Sequence, residues 1–202
     1  MPRPALTEQQ RQQIRRKIRA AAAEIFAEVE SGQITARALA ERAGVSVGTV
    51  YAHFGNLNEV FQSLWRRPAG RLVVDLKEIS TTREDPSVKL RRMLQSYVDF
   101  ANSHASVFRN AFLYVRPEHQ TPPPQVALQD DQFFQLFRGV VAAGQDEGLF
   151  RPGDPDTITQ TVLSAVHGAL ALPINWHRLA LDDSKTLPVQ MIDAMLEWLA
   201  SR

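Results

Sequence analysis

The sequence has no cysteine, so disulfides, thiolate metal sites and cysteine nucleophiles are excluded. No apolar run approaches the ~20 residues of a membrane span. The opening stretch, MPRPALTEQQRQQ, lacks the apolar core of a signal peptide. A soluble, cytoplasmic protein without a membrane partner is the expectation. The alternation of apolar and polar residues that marks a half-buried strand is missing as well. So are the constellations of an enzyme: there is no G-x-S-x-G, no phosphate-cradling glycine loop and no dinucleotide fingerprint. His53, His104, His119, His167 and His177 are never three or four residues apart, the spacing that sets two metal ligands on one helix face. No catalytic residue, metal site or cofactor is expected.

Net charge is scarce too, +1 over 202 residues, but it is unevenly spread. Residues 1–67 hold ten Lys/Arg against six Asp/Glu, and the remainder holds thirteen against sixteen. A basic first third on a mildly acidic remainder points to an anionic partner for the first third alone.

What the sequence does have is apolar residues at helical period almost throughout. Thr7 is placed to cap a first helix with the stripe Ile14, Ile18, Ala21, Ala22, Ile25, Phe26 and Val29, ended by Gly32. Thr35 and Gly44 bracket a short second helix. Ser46 opens a third, reaching about His53, and Asn56 with Glu59 makes a capping-box start for a fourth. The fourth keeps its phase through Leu64, Leu72, Leu76 and Ile79, although Pro68 removes one backbone hydrogen bond and should kink or split it. Further helices are predicted over 86–102, 105–116, 125–148, 155–181 and 188–200. The expected fold is all-α, with a three-helix head over 1–55 and a larger helical body over 56–202.

The head holds one unusual stretch, GVSVGTVYAHF over 44–54. A glycine inside a short helix costs about 1 kcal/mol relative to alanine, which is tolerated where something must approach the backbone closely. Helix, sharp turn at Gly44, helix is the spacing of a helix-turn-helix. Ser46 and the first amides of the third helix suit an anion, and Gly48 leaves them open. Val47 and Ala52 suit thymine methyls, and Phe54 suits the core. Taken with I-x-x-A-A-x-x-I-F at Ile18 to Phe26, the run T-x-x-x-L-A-x-x-A-G-V-S-x-G-x-V-Y-x-H-F resembles the tetracycline-repressor (TetR-like) family of bacterial transcription regulators. A weaker likeness continues in EGLFRPGDPDTITQTVLSAVHGAL.

The resemblance implies that Thr49, Tyr51 and His53 contact phosphates of double-stranded DNA and that Arg37 faces DNA. Arg15, Arg16, Lys17 and Arg19 read either as a solvated face or as backbone contacts, and Arg3 and Arg11 as a possible minor-groove arm. One position departs from the pattern: Leu57 stands where the family commonly carries a phosphate-gripping lysine.

In the body, Ile158, Val162, Ala165, Ala169 and Leu172 form one stripe and Val189, Ile192, Leu196 and Leu199 another. They read as a four-helix homodimer interface, or as the monomer's own core. Six of the ten phenylalanines fall between Phe100 and Phe137. Phe100, Phe108, Phe112, Phe133 and Phe137, with Phe61 and Trp65, read either as solid core or as an apolar effector cavity with Tyr97, His104 and His167 as polar handles. The resemblance favours the cavity. The function expected is that of a ligand-responsive, dimeric DNA-binding regulator, most simply a repressor released by a small apolar or aromatic effector. The alternatives are an architectural or interaction DNA-binding protein without a ligand switch, and a small-molecule enzyme carrying a similar helical hairpin.

Overall fold

Side-chain caps set most of the helix starts. The computed structural model describes residues 6–28, 35–105, 108, 125–175, 180–181 and 185–200, and among them there is no strand. These residues fall into two compact units, one reaching from the N-terminal side to Pro68 and including Phe108, the other beginning at Ala69.

The first unit starts with α1 (Glu8–Glu28). Thr7 Oγ1 accepts from the Gln10 amide at 3.3 Å while Gln10 Oε1 accepts from the Thr7 amide at 2.9 Å, a reciprocal capping box. The expected stop at Gly32 lies outside the described residues. Thr35 caps α2 (Ala36–Ala43) through the Ala38 amide. Gly44 ends α2 at φ +65°, and the Gly44 and Val45 amides return to the carbonyls of Glu41 and Ala40. This is a Schellman stop, which needs a left-handed residue and so favours glycine. α3 (Val47–Phe54) follows after two residues.

α4 (Leu57–Ser80) runs through Pro68 as one helix. Pro68 therefore does not split it, although the Leu64 carbonyl loses its amide partner. One core joins the helices of this unit: Ile18, Ala22 and Ile25 of α1, Leu39 of α2, Val50 and Phe54 of α3, and Val60 of α4. The start of α4 thus packs with the head.

The second unit holds the rest of α4, then α5 (Pro86–Ser103), α6 (Gln132–Asp146), α7 (Pro155–Asn175) and α8 (Thr186–Ala200). Asp85 caps α5, with Pro86 in the first-turn position where its missing amide costs nothing. The helix expected from 125 begins only at Gln132. Asp131 accepts from the Phe134 amide and starts it there, after a single 3₁₀ turn over Leu128–Asp130. α7 is helical as far as Asn175; residues 176–179 of the stretch predicted to reach 181 lie outside the described residues, and 180 and 181 are not helical. Among the described helices α5 packs on α6, α7 and α8, α6 on α7, and α7 on α8. Leu90, Met93, Leu94, Phe137, Val141, Val166 and Ile192 are sealed in their core. Gln145 Nε2 donates to the carbonyls of Arg151 and Gly153. The Arg151 amide reaches the Leu199 carbonyl at 2.7 Å, so the turn after α6 is tied to the end of α8.

Candidate nucleic-acid interface

α3 is held by one face and bare on the other. Val50 and Phe54 are buried at 0% and 1% exposure, whereas Val47 and Tyr51 are 38% and 44% exposed. Gly48 and Ala52 are exposed, Thr49 and His53 half-buried, and Arg37 is exposed on α2. Ser46 Oγ accepts from the Thr49 amide at 3.0 Å and lies 2.8 Å from Thr49 Oγ1. The cap is thereby satisfied within the chain. The amides of Val47 and Gly48 precede the first intrahelical bonds, and the partial positive charge of the helix start rests there.

Gly48 is not explained by packing. A Cβ built on it would meet nothing nearer than Ser46 Oγ at 3.7 Å, an ordinary contact, and its φ is not positive. The turn glycines Gly44 and Gly55 are different, with φ of +65° and +61°. Ser46, Val47, Gly48, Thr49 and Tyr51 are thus brought together on one accessible helix end, with His53 one turn on. Leu57 is half-buried against the head core, so the position carries packing and no cation.

The effector residues are only partly brought together. Tyr97 Oη lies 2.8 Å from His167 Nδ1. Phe133 stands 5.5 Å from the Tyr97 ring and 5.1 Å from Phe137, centroid to centroid. Burial pushes the Tyr97 phenol up from its ordinary value and the His167 imidazole down, so both are neutral near pH 7. Phe100 stacks instead on His104 at 5.0 Å, and His104 Nδ1 donates to the Phe100 carbonyl, which ends α5. Phe108 is buried and belongs with the first unit. Phe112 and the side chains of Phe61 and Trp65 lie outside the described residues. A groove of about 200 Å³ in the second unit is lined by residues such as Pro86, Lys89, Leu136 and Gly139, and by none of these aromatics.

The stripes of α7 and α8 divide by burial. Val162, Ala169, Ile192 and Leu199 are at most 2% exposed and Ile158 6%, so they are spent on the unit's own core. Leu172 and Val189 remain 38% exposed, and Ala165 and Leu196 are half-buried. Sequence periodicity merged two adjacent faces of each helix. It also missed a polar cleft between α1 and α4, because Arg15 and Arg66 meet there from far apart in the chain.

Comparison with known proteins identifies the family. Residues 18–64 match the family model for bacterial regulatory proteins of the tetR family, and residues 90–197 match the tetracyclin repressor-like C-terminal domain. The transcriptional repressor KstR2 of Mycobacterium tuberculosis is 25% identical over 158 residues, 78% of each chain. The transcriptional activator FasR of Mycolicibacterium smegmatis is 28% identical over 109 residues, 54% of this chain, and the match spans only about half (48%) of that protein. Among solved structures, SmeT, repressor of a Stenotrophomonas maltophilia multidrug efflux pump, superposes with a TM-score of 0.65 at 22% identity, covering 93% of this chain and 90% of its own. With a helix-turn-helix in the first unit and the second family model spanning more than half of the sequence, the chain belongs to the tetR family of DNA-binding transcriptional regulators and is not an enzyme.

Proposed function

We propose that the protein is a cytoplasmic homodimeric repressor whose two heads read a near-palindromic operator and are released by a small apolar or aromatic effector. Gly48 carries this reading. Its missing side chain serves neither a turn nor the packing of the head, so the demand for it comes from outside the chain. A DNA backbone or base edge approaching the start of α3 makes that demand. Residues 1–55 then act as the DNA-binding domain, with Arg37, Ser46, Thr49, Tyr51 and His53 on phosphates and Val47 against bases. Residues 56–202 form the regulatory body.

Dimerisation uses the faces of α7 and α8 left open by the monomer, Leu172 and Val189 with Ala165 and Leu196 beside them. Two recognition helices on one face of the duplex then stand about 34–36 Å apart. The effector is read as uncharged because the hydrogen-bonded polar pair among the described aromatics, Tyr97 and His167, is itself neutral. Repression rather than activation is favoured by the repressor relative, which aligns over more of both chains than the activator does.

Selection of genomic fragments by the purified protein, followed by gel shift, tests the reading. The expected result is a saturable, salt-sensitive complex with a near-palindrome. Gly48→Ala should weaken it while leaving the head folded or slightly more stable, by up to about 1 kcal/mol. Unchanged operator affinity in Gly48→Ala, or no selected fragment at all, would overturn it. Release by a hydrophobic compound separates a switch from an architectural protein.

A further inference from the structure

Beside the end of α3, α1 and α4 enclose a cleft of about 350 Å³ lined by Arg15, Asn56, Glu59, Gln62, Ser63 and Arg66. Every lining side chain is polar, which suits a hydrated anion and not an apolar effector. Arg15 is steadied at this place by the Phe54 ring, whose centroid lies 4.6 Å from its guanidinium carbon. Phe54 is the last residue of α3, so this contact places the guanidinium beside the end of the recognition helix. Arg66 donates from Nη2 to Gln62 Oε1 at 3.3 Å, a partner that carries no charge of its own. The one carboxylate in the lining, Glu59, is turned onto the Gly55–Asn56 corner: Asn56 Nδ2 approaches Glu59 Oε1 at 3.4 Å, and Asn56 Oδ1 accepts from the Glu59 amide at 2.9 Å. The lining therefore carries two cations against one carboxylate.

We propose that this cleft grips a phosphodiester of the DNA backbone flanking the groove that α3 enters, with Arg15 and Arg66 as its cationic arms. The inference rests on the head docking to DNA through α3, as proposed above. Guanidinium groups stay charged at every working pH and present planar forks that match phosphate oxygens. Contacts of this kind set the register and orientation of a head without reading sequence. Taken from α1 and α4 together, they supply from two helices what Leu57, half-buried against the core, does not supply from one.

The test is the salt dependence of binding to a labelled mixed-sequence duplex, which needs no knowledge of the operator. Wild type is compared with Arg15→Gln, Arg66→Gln and the double variant. Arg15→Lys serves as a charge-keeping control, and Arg71→Gln removes an equal charge from the other unit. Each neutralised contact should lower the slope of log affinity against log salt by about one unit per head. Arg15→Lys should retain the wild-type slope and Arg71→Gln should not change it. Circular dichroism checks folding, and a loss of helix packing alone does not alter the slope in this graded way. Slopes in Arg15→Gln and Arg66→Gln equal to that of Arg71→Gln overturn the proposal while leaving the reading of α3 intact. A wild type that binds no duplex overturns both. Inorganic phosphate is titrated separately by NMR. Binding of phosphate that both variants abolish, without any change in the duplex slope, would make the cleft a site for a free anion and overturn its assignment to DNA.

Discussion

At the scale of single residues, a half-buried histidine and a buried threonine of the second unit have opposite circumstances. His167 is held to Tyr97 and its pKa is lowered by burial from the ordinary 6.5. In the unfolded chain the imidazole takes up a proton near 6.5, so the unfolded state binds more protons just below that value. The stabilising share of neutral His167 is thus complete above about pH 6.5 and is lost as pH falls toward the lower, folded value. We expect the melting temperature to drop on going from about pH 7 to about pH 5, the range in which histidine titrates, and to drop less in His167→Asn. Parallel pH profiles for the two would refute this. Thr159, 1% exposed, has an Oγ1 with no hydrogen-bond partner. A buried hydroxyl left unbonded costs about 1–3 kcal/mol. Thr159→Val, which keeps the shape, should therefore raise the denaturant midpoint, and a lower midpoint would refute the argument.

At the scale of elements, the caps were legible because they are local. Thr7, Thr35, Ser46 and Asn56 each lie within three residues of the amides they cap. Gly44 was legible for the same reason, since a left-handed stop declares itself by residue type. The start of α6 was misplaced because Val126 and Leu128 continue the apolar pattern yet are exposed, at 64% and 40%. Gly144 shows what pattern alone does not reveal. A Cβ on it would lie 2.1 Å from Cδ2 of the buried Phe150 ring, so α6 and the turn that follows pack with no side chain between them. Gly144→Ala gains about 1 kcal/mol in helix propensity but overpacks the core by about 1–3 kcal/mol. A net loss of stability is expected in urea unfolding, and a gain would show that the Phe150 ring yields freely.

At the scale of the whole molecule, the proposed dimer needs apolar surface that the monomer's own core leaves open. Ala169 and Ile192 are 2% and 1% exposed, so charges placed there would unfold the monomer and say nothing about assembly. Leu172 and Val189 are open. Leu172→Arg with Val189→Arg should yield folded monomers in light scattering, with helical content kept, and weaker binding to a two-half-site operator than wild type shows, since linkage of the heads is lost. A dimer that survives both changes would move the interface away from α7 and α8.

The helical class, the turn at Gly44 and the motif of the head could be read from residue pattern alone, because periods, caps and turn residues act over a few positions. The pattern also marked Gly48 as anomalous. Helix packing settles which half of each apolar stripe is core: Val162 and Leu199 turn inward, Leu172 and Val189 do not. It pairs Tyr97 with His167 across 70 positions and sets Arg15 and Arg66 on one cleft. Helical period says that residues share a face, but only the packing of other helices says which face is covered and which distant side chains meet.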